Sequence, residues 1–483
     1  AGEGLPVLLS FSYVAVVVAA FLLAKPIRNG LYLREYGPEA LAYAYAVVPI
    51  VLWGFVRLHT WVAARVGARR AAFGTLIFFS LNVLAFWAAF RWAPFELLPG
   101  IFYVWVNCFG VIAPVQAWSF ANSVFDARQA RRLFGLIGAG ASLGAVSGGV
   151  MARYLVGPVG GAVNLLLVLA ALIGLSAVIV GVAGSRVKRR VSTHARPQPL
   201  MPFKDAVAAI RRNRYLQLLA ALVFLVAIAT QWTNFQLSAV ANERYGGNAD
   251  AITRFFGTFN FTLGAAGFAI QVLFTGVLLR RLGVTSAIMI LPLTLAFGGA
   301  LTLLFPVFLA VLFTNAADQG LRFSIDKAAY ELLYLPIPPS QRPSIKSAID
   351  IVGNRIADAV GGVLLGLATG GFLMLPGAGL RIRGTAAGIF LMAIVWAAVA
   401  WRLRREYVAA IEASIHQHRL DTERISAARL DASVRETLAG HLQSDDPEVV
   451  VQALETIARM KIAPPIDLIH KLLDHPQAEV RAR

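Results

Sequence analysis

The chain has 483 residues, 58% of them hydrophobic and only 14% charged, with a mean hydropathy of +0.67. Soluble proteins carry about a quarter charged residues, so the composition excludes an ordinary soluble enzyme and points to a polytopic membrane protein. The formal net charge is +18, and the residues from Asp421 onward hold eight basic and eleven acidic side chains, so the excess lies entirely before that point. There the basic residues are scattered among short loops, as expected of charge that sets membrane orientation. Scatter of this kind argues against a nucleic-acid partner, which needs a basic face.

Spanning helices need about 20 apolar residues, and twelve such runs are present, near 5–24, 40–58, 72–91, 97–120, 134–152, 162–183, 215–240, 253–279, 284–303, 306–325, 347–375 and 385–402. The ninth and tenth almost merge at Phe305-Pro306. The first run leads into Lys25 and Arg28 without a small-residue cleavage pattern, so it reads as a spanning helix and not a removable signal. Ala1 at the start implies a processed or trimmed N-terminus. Basic residues gather after the even-numbered runs: Arg65, Arg69 and Arg70; Arg128, Arg131 and Arg132; nine between Arg186 and Arg214; Arg280 and Arg281; and Lys327, Arg342 and Lys346. Lys25, Arg28, Arg34, Arg381 and Arg383 depart from that pattern. The bias predicts that both termini are cytoplasmic.

The expected organisation is a first six-helix half (1–184), a linker (185–214), a second six-helix half (215–404) and a C-terminal helical segment (405–483). The fold class is therefore all-α, with twelve transmembrane helices in two halves. The linker carries Phe203, Val207 and Ile210 on one face of an amphipathic stretch, which suits a helix on the membrane surface or a solvated linker helix. In the tail, Asp445-Asp446-Pro447 matches Asp474-His475-Pro476 and Val451 falls on Val480, a spacing of 29. This short match resembles HEAT-type repeats, which bury their inner faces only against neighbours. Because two repeats are too few for a stable array, the natural chain is expected to continue beyond Arg483.

Charge within the apolar runs narrows the search for a site, because such groups cost about 2.5–3.5 kcal/mol each on insertion scales unless paired or wetted. The stretch from Asn315 to Gly362 holds ten: Asp318, Arg322, Asp326, Lys327, Glu331, Arg342, Lys346, Asp350, Arg355 and Asp358. In the eleventh run Lys346, Asp350, Asn354 and Asp358 recur at every fourth residue and make one slowly turning polar face, with Arg355 beside it. That face suits either an ion-pair network joining the halves or a substrate or gating surface. Lys25 and Arg28 share a face of the first helix around Pro26, which suits an anionic ligand or snorkelling to the surface. Gly140, Gly144 and Gly148 form a small-residue seam for close helix packing. The GAGASLGAVSGG run is not a phosphate loop, since it lacks Gly-Lys-Ser/Thr and a preceding strand. The single cysteine, Cys108, excludes a disulfide framework, and the seven histidines fall outside the spanning runs, so no metal site, cofactor or catalytic dyad is expected.

Several of these residues carry a family resemblance. Tyr330-Glu331-Leu332-Leu333-Tyr334-Leu335-Pro336-Ile337, then Lys346-Ser347-Ala348-Ile349-Asp350 and Asn354-Arg355, resemble signature segments of the ATP/ADP translocase (nucleotide transporter) family, a relative of the major facilitator superfamily. Trp118-Ser119-Phe120-Ala121-Asn122, Ala130-Arg131-Arg132-Leu133-Phe134 and the Lys25-x-x-Arg28 pair agree with it, so the resemblance covers roughly residues 10–405. The basic glycine turns at Arg65–Arg70 and Arg280–Gly283 resemble the short loop of major facilitator transporters, without its acidic residue. The chain departs from nucleotide exchangers at Ser123, where they carry Glu, and at Tyr330 and Asp358, where they carry Lys. It is most similar to the bacterial branch with HEAT-type tails.

The resemblance implies a secondary transporter of an anionic solute, a nucleotide or another phosphate compound, exchanged across a bacterial cytoplasmic membrane by alternating access. Lys25, Arg28 and Arg355 would contact the anion, and Glu331, Asp350 and Asp358 would pair with those cations when the site is empty; Asn122, Lys346 and Asn354 complete the expected site. Two other readings stand beside it. One is a membrane-anchored scaffold or sensor that recruits a protein partner through its tail. The other is a lipid-handling protein of the same fold, in contact with membrane lipids through a lateral opening.

Overall fold

The computed structural model describes residues 4–125, 127–186, 201–270, 273, 276–338, 340–370, 378–416, 442, 450, 451 and 454. The helices in chain order are α1 (Gly4–Tyr36), α2 (Leu41–Val66), α3 (Ala68–Trp92), α4 (Leu98–Val124), α5 (Ala127–Leu155), α6 (Leu165–Arg186), α7 (Phe203–Arg212), α8 (Arg214–Arg244), α9 (Ala249–Ile270), α10 (Gly276–Leu304), α11 (Phe308–Leu321), α12 (Lys327–Leu332), α13 (Arg342–Ser347), α14 (Asn354–Ala368) and α15 (Ala378–His416). π-helical turns span Arg322–Asp326 between α11 and α12, and Ala348–Gly353 between α13 and α14. Among the described residues, ten helices are long and apolar enough to cross a membrane. The chain is a multi-pass, all-helical membrane protein. The HEAT-type repeats expected in the tail lie almost wholly outside the described residues.

Local sequence explains several helix ends. Asn213 caps α8 by accepting hydrogen bonds from the Tyr215 and Leu216 amides (2.9 and 3.4 Å), the usual way to satisfy amides at a helix start. Pro306 falls between α10 and α11, where its missing N–H would interrupt a helix. Gly160 and Gly161 adopt φ of 81° and 110° in the turn between α5 and α6, a backbone region that side chains disfavour. One boundary differs from the sequence reading. Arg280 and Arg281 were expected in a loop after the eighth run, yet α10 starts at Gly276 and includes both. Two arginines followed by Leu are good helix formers, so the chain resumes its helix earlier than hydropathy indicates.

The helices pack as two bundles, α1–α6 and α8–α15. In the first, α1 lies against α4, α5 and α6, and α3 against α6; in the second, α8 lies against α11, α14 and α15, and α10 against α15. The bundles meet through α2 with α14 and α5 with α9, plus α1 with α9. The second helix of each bundle thus touches the fifth spanning helix of the other, a two-fold arrangement. Each bundle has its own apolar core, and a third core, with Tyr32, Leu41 and Tyr103 on one side and Trp232, Phe235, Ala357 and Leu365 on the other, spans them.

Glycines permit the close crossings. A Cβ on Gly144 or Gly148 would strike the α1 backbone at Ala15 or Ala19, so the seam on α5 is filled by α1. Gly149 and Gly257 sit at the crossing of α5 and α9, and Gly362 lies against Tyr45 and Ala46 of α2. Polar contacts add to the α5–α9 side: Arg153 donates to Thr258 (2.5 Å), and Asp250 accepts from the Ala162 amide (2.6 Å). The α5–α9 contacts and the Gly362 contact lie toward the end of the molecule that carries the α1–α2, α5–α6 and α8–α9 turns, and the bundles close there. The linker helix α7 does not lie free: Ala206 is fully buried, and Ala209 and Ile210 pack on the second bundle, while Phe203 is exposed.

Candidate functional site

A cavity of about 250 Å³ lies between the bundles below the closed end. Its cations are Lys25 and Arg28 from α1, Arg322 from the π turn after α11, and Arg355 from α14; Asp358 is its one carboxylate. Pro26 sits within the long α1 without ending it, so Lys25 and Arg28 stay on one helical face of that span. Arg28 stacks on the Tyr103 ring at 4.2 Å and donates to Asn29 Oδ1 at 2.9 and 3.1 Å. Lys25 rests 4.9 Å from the Phe21 ring centroid. Among the described residues, neither Lys25 nor Arg28 forms an ion pair with a carboxylate. Arg355 does, holding Asp358 at 3.0 Å.

The wall opposite α1 is rich in amides. Asn234 Oδ1 accepts from Asn315 Nδ2 (3.1 Å), and Gln319 donates to Asn315 Oδ1 (2.7 Å). Gln231 donates to the Asp358 carbonyl (2.9 Å), tying α8 to α14. Tyr45, Tyr103 and Phe256 add aromatic surface, and Asn107 and Asn260 add further amides. The cavity therefore joins a cationic side to an amide and aromatic side. An anion can be held by the first, and a flat polar ring by the second.

Of the residues expected at the site, Lys25, Arg28, Arg355 and Asp358 line this cavity. Glu331, Lys346 and Asp350 form a separate cluster toward the end opposite the closed one. Lys346 Nζ bonds the Glu331 carboxylate and lies 4.0 Å from Asp350 Oδ2, and Asp350 Oδ1 accepts from Tyr334 (2.6 Å) and Tyr330 (3.1 Å). Burial and the Asp350 charge raise the Tyr334 hydroxyl well above its usual range, so it stays a donor. Arg342 folds back to donate to the Leu335 and Ile337 carbonyls (3.0 and 3.1 Å), which fixes the Tyr334-Leu335-Pro336-Ile337 turn beneath it.

Two expectations are corrected. Glu331 and Asp350 pair with Lys346, not with Lys25, Arg28 or Arg355. The reason is the π turn Ala348–Gly353, which widens the helix and rotates the residues after it relative to those before it. The every-fourth-residue face is thereby split, with Lys346 and Asp350 on one cluster and Arg355 and Asp358 on the other. Asn354 bonds the Asp350 carbonyl within its own helix, and Asn122 is exposed; neither lines the cavity. Arg322 and the amide wall were not singled out from the sequence. The signal was present, because an arginine and several Asn and Gln residues within apolar helices are costly without a polar surface to line.

Comparison with known proteins places this geometry. Residues 80–312 match the family described as TLC ATP/ADP transporter. The chain is 23% identical over 350 residues to "ADP,ATP carrier protein 1" of Chlamydia trachomatis, covering 64% of this chain and 65% of that protein. It is also 23% identical over 372 residues to its namesake in Chlamydia muridarum, covering 69% of each. The match thus spans about two thirds of the length of these relatives. Among solved structures, the nucleoside transporter NupG superposes with a TM-score of 0.57 at 14% identity, over 83% of this chain and 99% of that one. The POT family transporter PepTSo does so with 0.56 at 14% identity, over 82% and 98%. At such identities the two structures establish the fold, which is of the major facilitator type. The signature segments and the family match together make the chain similar to the ATP/ADP translocase family.

Proposed function

We propose that the protein exchanges nucleotides of the ATP/ADP type across a bacterial cytoplasmic membrane by alternating access, with residues 1–184 and 215–404 as the two rocking halves and 185–214 as their linker. The observation that carries this reading is the cavity between the bundles, where four cations face one carboxylate and Lys25 and Arg28 have no carboxylate partner among the described residues. Cations left without a counter-ion at membrane depth are costly, and an anionic substrate removes that cost. Lys25, Arg28, Arg322 and Arg355 then hold the phosphates, and the amide and aromatic wall faces the nucleoside.

Exchange follows from the same electrostatics. Rocking the halves with the cavity empty would carry unpaired cations through a low-dielectric stage, whereas a bound nucleotide neutralises them. With the termini on the cytoplasmic side, the closed end faces the outside. Nothing among the described residues favours the scaffold reading, and the family match supports transport.

The test is counter-exchange in proteoliposomes. Vesicles loaded with unlabelled ADP should accumulate labelled ATP, and empty vesicles should accumulate far less. Equal uptake of uncharged nucleosides, or no flux of any nucleotide by folded protein, would refute the proposal.

A further inference from the structure

The outward face of α2 carries a second cationic feature, apart from the cavity. Trp53, Arg57, Trp61 and Arg65 follow one another at every fourth residue and so form one stripe along the helix. The Arg57 guanidinium lies over the Trp53 ring at 4.9 Å, and that of Arg65 over the Trp61 ring at 3.6 Å. All four residues are exposed. Other faces of α2 hold it to its own bundle: Phe55 meets Phe79 of α3 at 6.0 Å, and His59 meets Gln116 of α4 at 2.7 Å. Its cavity-lining residues, Tyr45, Val48 and Pro49, lie nearer the closed end. No acidic residue occurs between Glu39 and Glu96. Among the described residues, neither Arg57 nor Arg65 pairs with a carboxylate.

We infer that this stripe binds the headgroup of an anionic phospholipid in the leaflet that meets the α2–α3 turn. Arg57 lies about 12 Å deeper along the helix than Arg65. A cation at that depth on a lipid-facing surface is costly unless it is paired or wetted. A lipid phosphate drawn down to it removes the cost, and Arg65 meets the outer part of the same headgroup. Each guanidinium fork can hold phosphate oxygens bidentately. The indole rings support the forks from one side, and tryptophan favours the membrane–water boundary. The stripe stands independently of what the cavity transports.

The surroundings select a lipid over a soluble anion. Ile50 and Leu58 are exposed beside the stripe and offer apolar surface to acyl chains, which free phosphate cannot use. Arg70, exposed near the start of α3, adds to the positive field at the same turn. A zwitterionic lipid presents the same phosphate but carries its own cation beside it, which the arginines oppose. With the termini cytoplasmic, the stripe faces the cytoplasmic leaflet, whose anionic lipids attract basic segments.

The test reconstitutes the full chain in phosphatidylcholine vesicles that contain a minor fraction of lipid with brominated acyl chains, which quench nearby tryptophans. Brominated phosphatidylglycerol should quench more than brominated phosphatidylcholine at the same mole fraction, since two arginines at the surface favour an anionic lipid about thirtyfold. The chain has nine tryptophans, so the signal of the stripe is the part of that excess lost in Trp53→Phe/Trp61→Phe. Arg57→Gln/Arg65→Gln should remove the same part and leave quenching by brominated phosphatidylcholine and the melting temperature nearly unchanged. Equal quenching of the unaltered protein by the two brominated lipids would overturn the site without recourse to any variant. An excess that persists in Arg57→Gln/Arg65→Gln would overturn the assignment to these residues. An excess abolished by inorganic phosphate in the buffer would overturn the lipid in favour of a soluble anion.

Discussion

Two charged clusters of the protein balance their charges differently. In the first, Lys346 is enclosed by Glu331 and Asp350, whose remaining oxygen takes two tyrosine hydroxyls. Its charges answer one another, so it fastens α12 to α13 and needs no ligand. In the cavity, Arg322 pairs with the buried Asp318 and Arg355 with Asp358, while Lys25 and Arg28 have no carboxylate partner among the described residues. Its charges do not close on themselves, and the deficit is what a ligand supplies. Charge density in an apolar chain is thus a poor guide to a binding site; imbalance of charge is the better one.

That contrast can be broken by substitution, beginning with its cationic half. Lys25→Ala and Arg28→Ala should each lower ATP/ADP exchange at least about tenfold, since a hydrogen bond to a charged group contributes about 1.5–3 kcal/mol. Initial rates in loaded vesicles would measure this, and the double variant should be inactive. Arg355→Ala should be comparably damaging, because it also strands Asp358. Arg355→Ala with Asp358→Ala should recover part of the loss, if the pair is coupled as its 3.0 Å contact implies.

Contacts between the bundles are expected to tune the state and not the affinity. Gly149→Leu would drive a side chain into Phe261 and Gly257 of α9. Overpacking of this kind costs about 1–3 kcal/mol. It should lower the melting temperature and favour opening at the closed end, which cysteine accessibility on that side would report. Asp250→Ala removes the acceptor of the Ala162 amide and should shift the same accessibility by less.

The smallest effect belongs to the Lys346 cluster. Lys346→Met with Glu331→Gln removes a partly exposed ion pair, of a class worth about 1 kcal/mol or less. Exchange should fall only severalfold, with KM nearly unchanged. A KM rise matching that of Arg28→Ala would place the cluster in the binding site after all.

Much of this was legible in the sequence. Runs of apolar residues placed the spanning helices, since a membrane core admits little else. Lys25, Arg28, Arg355 and Asp358 stood out as charges where charges are expensive. The division of the Lys346–Asp358 face was not legible, because helical periodicity assumes a regular turn and residues Ala348–Gly353 do not make one. Arg322 was hidden for a related reason: among the ten charges of its stretch, only packing shows that it reaches the cavity while Asp318 and Asp326 stay buried. The amide wall is assembled from α4, α8, α9 and α11, so no local pattern announces it.

The central claim, that an unbalanced cationic cavity holds the phosphates of a nucleotide, is tested most directly by ligand-induced thermal stabilisation of the purified protein. A ligand that binds only the folded state raises the melting temperature with its concentration. ATP and ADP should stabilise the unaltered protein, adenosine should not, and the ATP response should vanish in the Lys25→Ala/Arg28→Ala variant. Equal stabilisation by adenosine, or an undiminished ATP response in that variant, would contradict the claim.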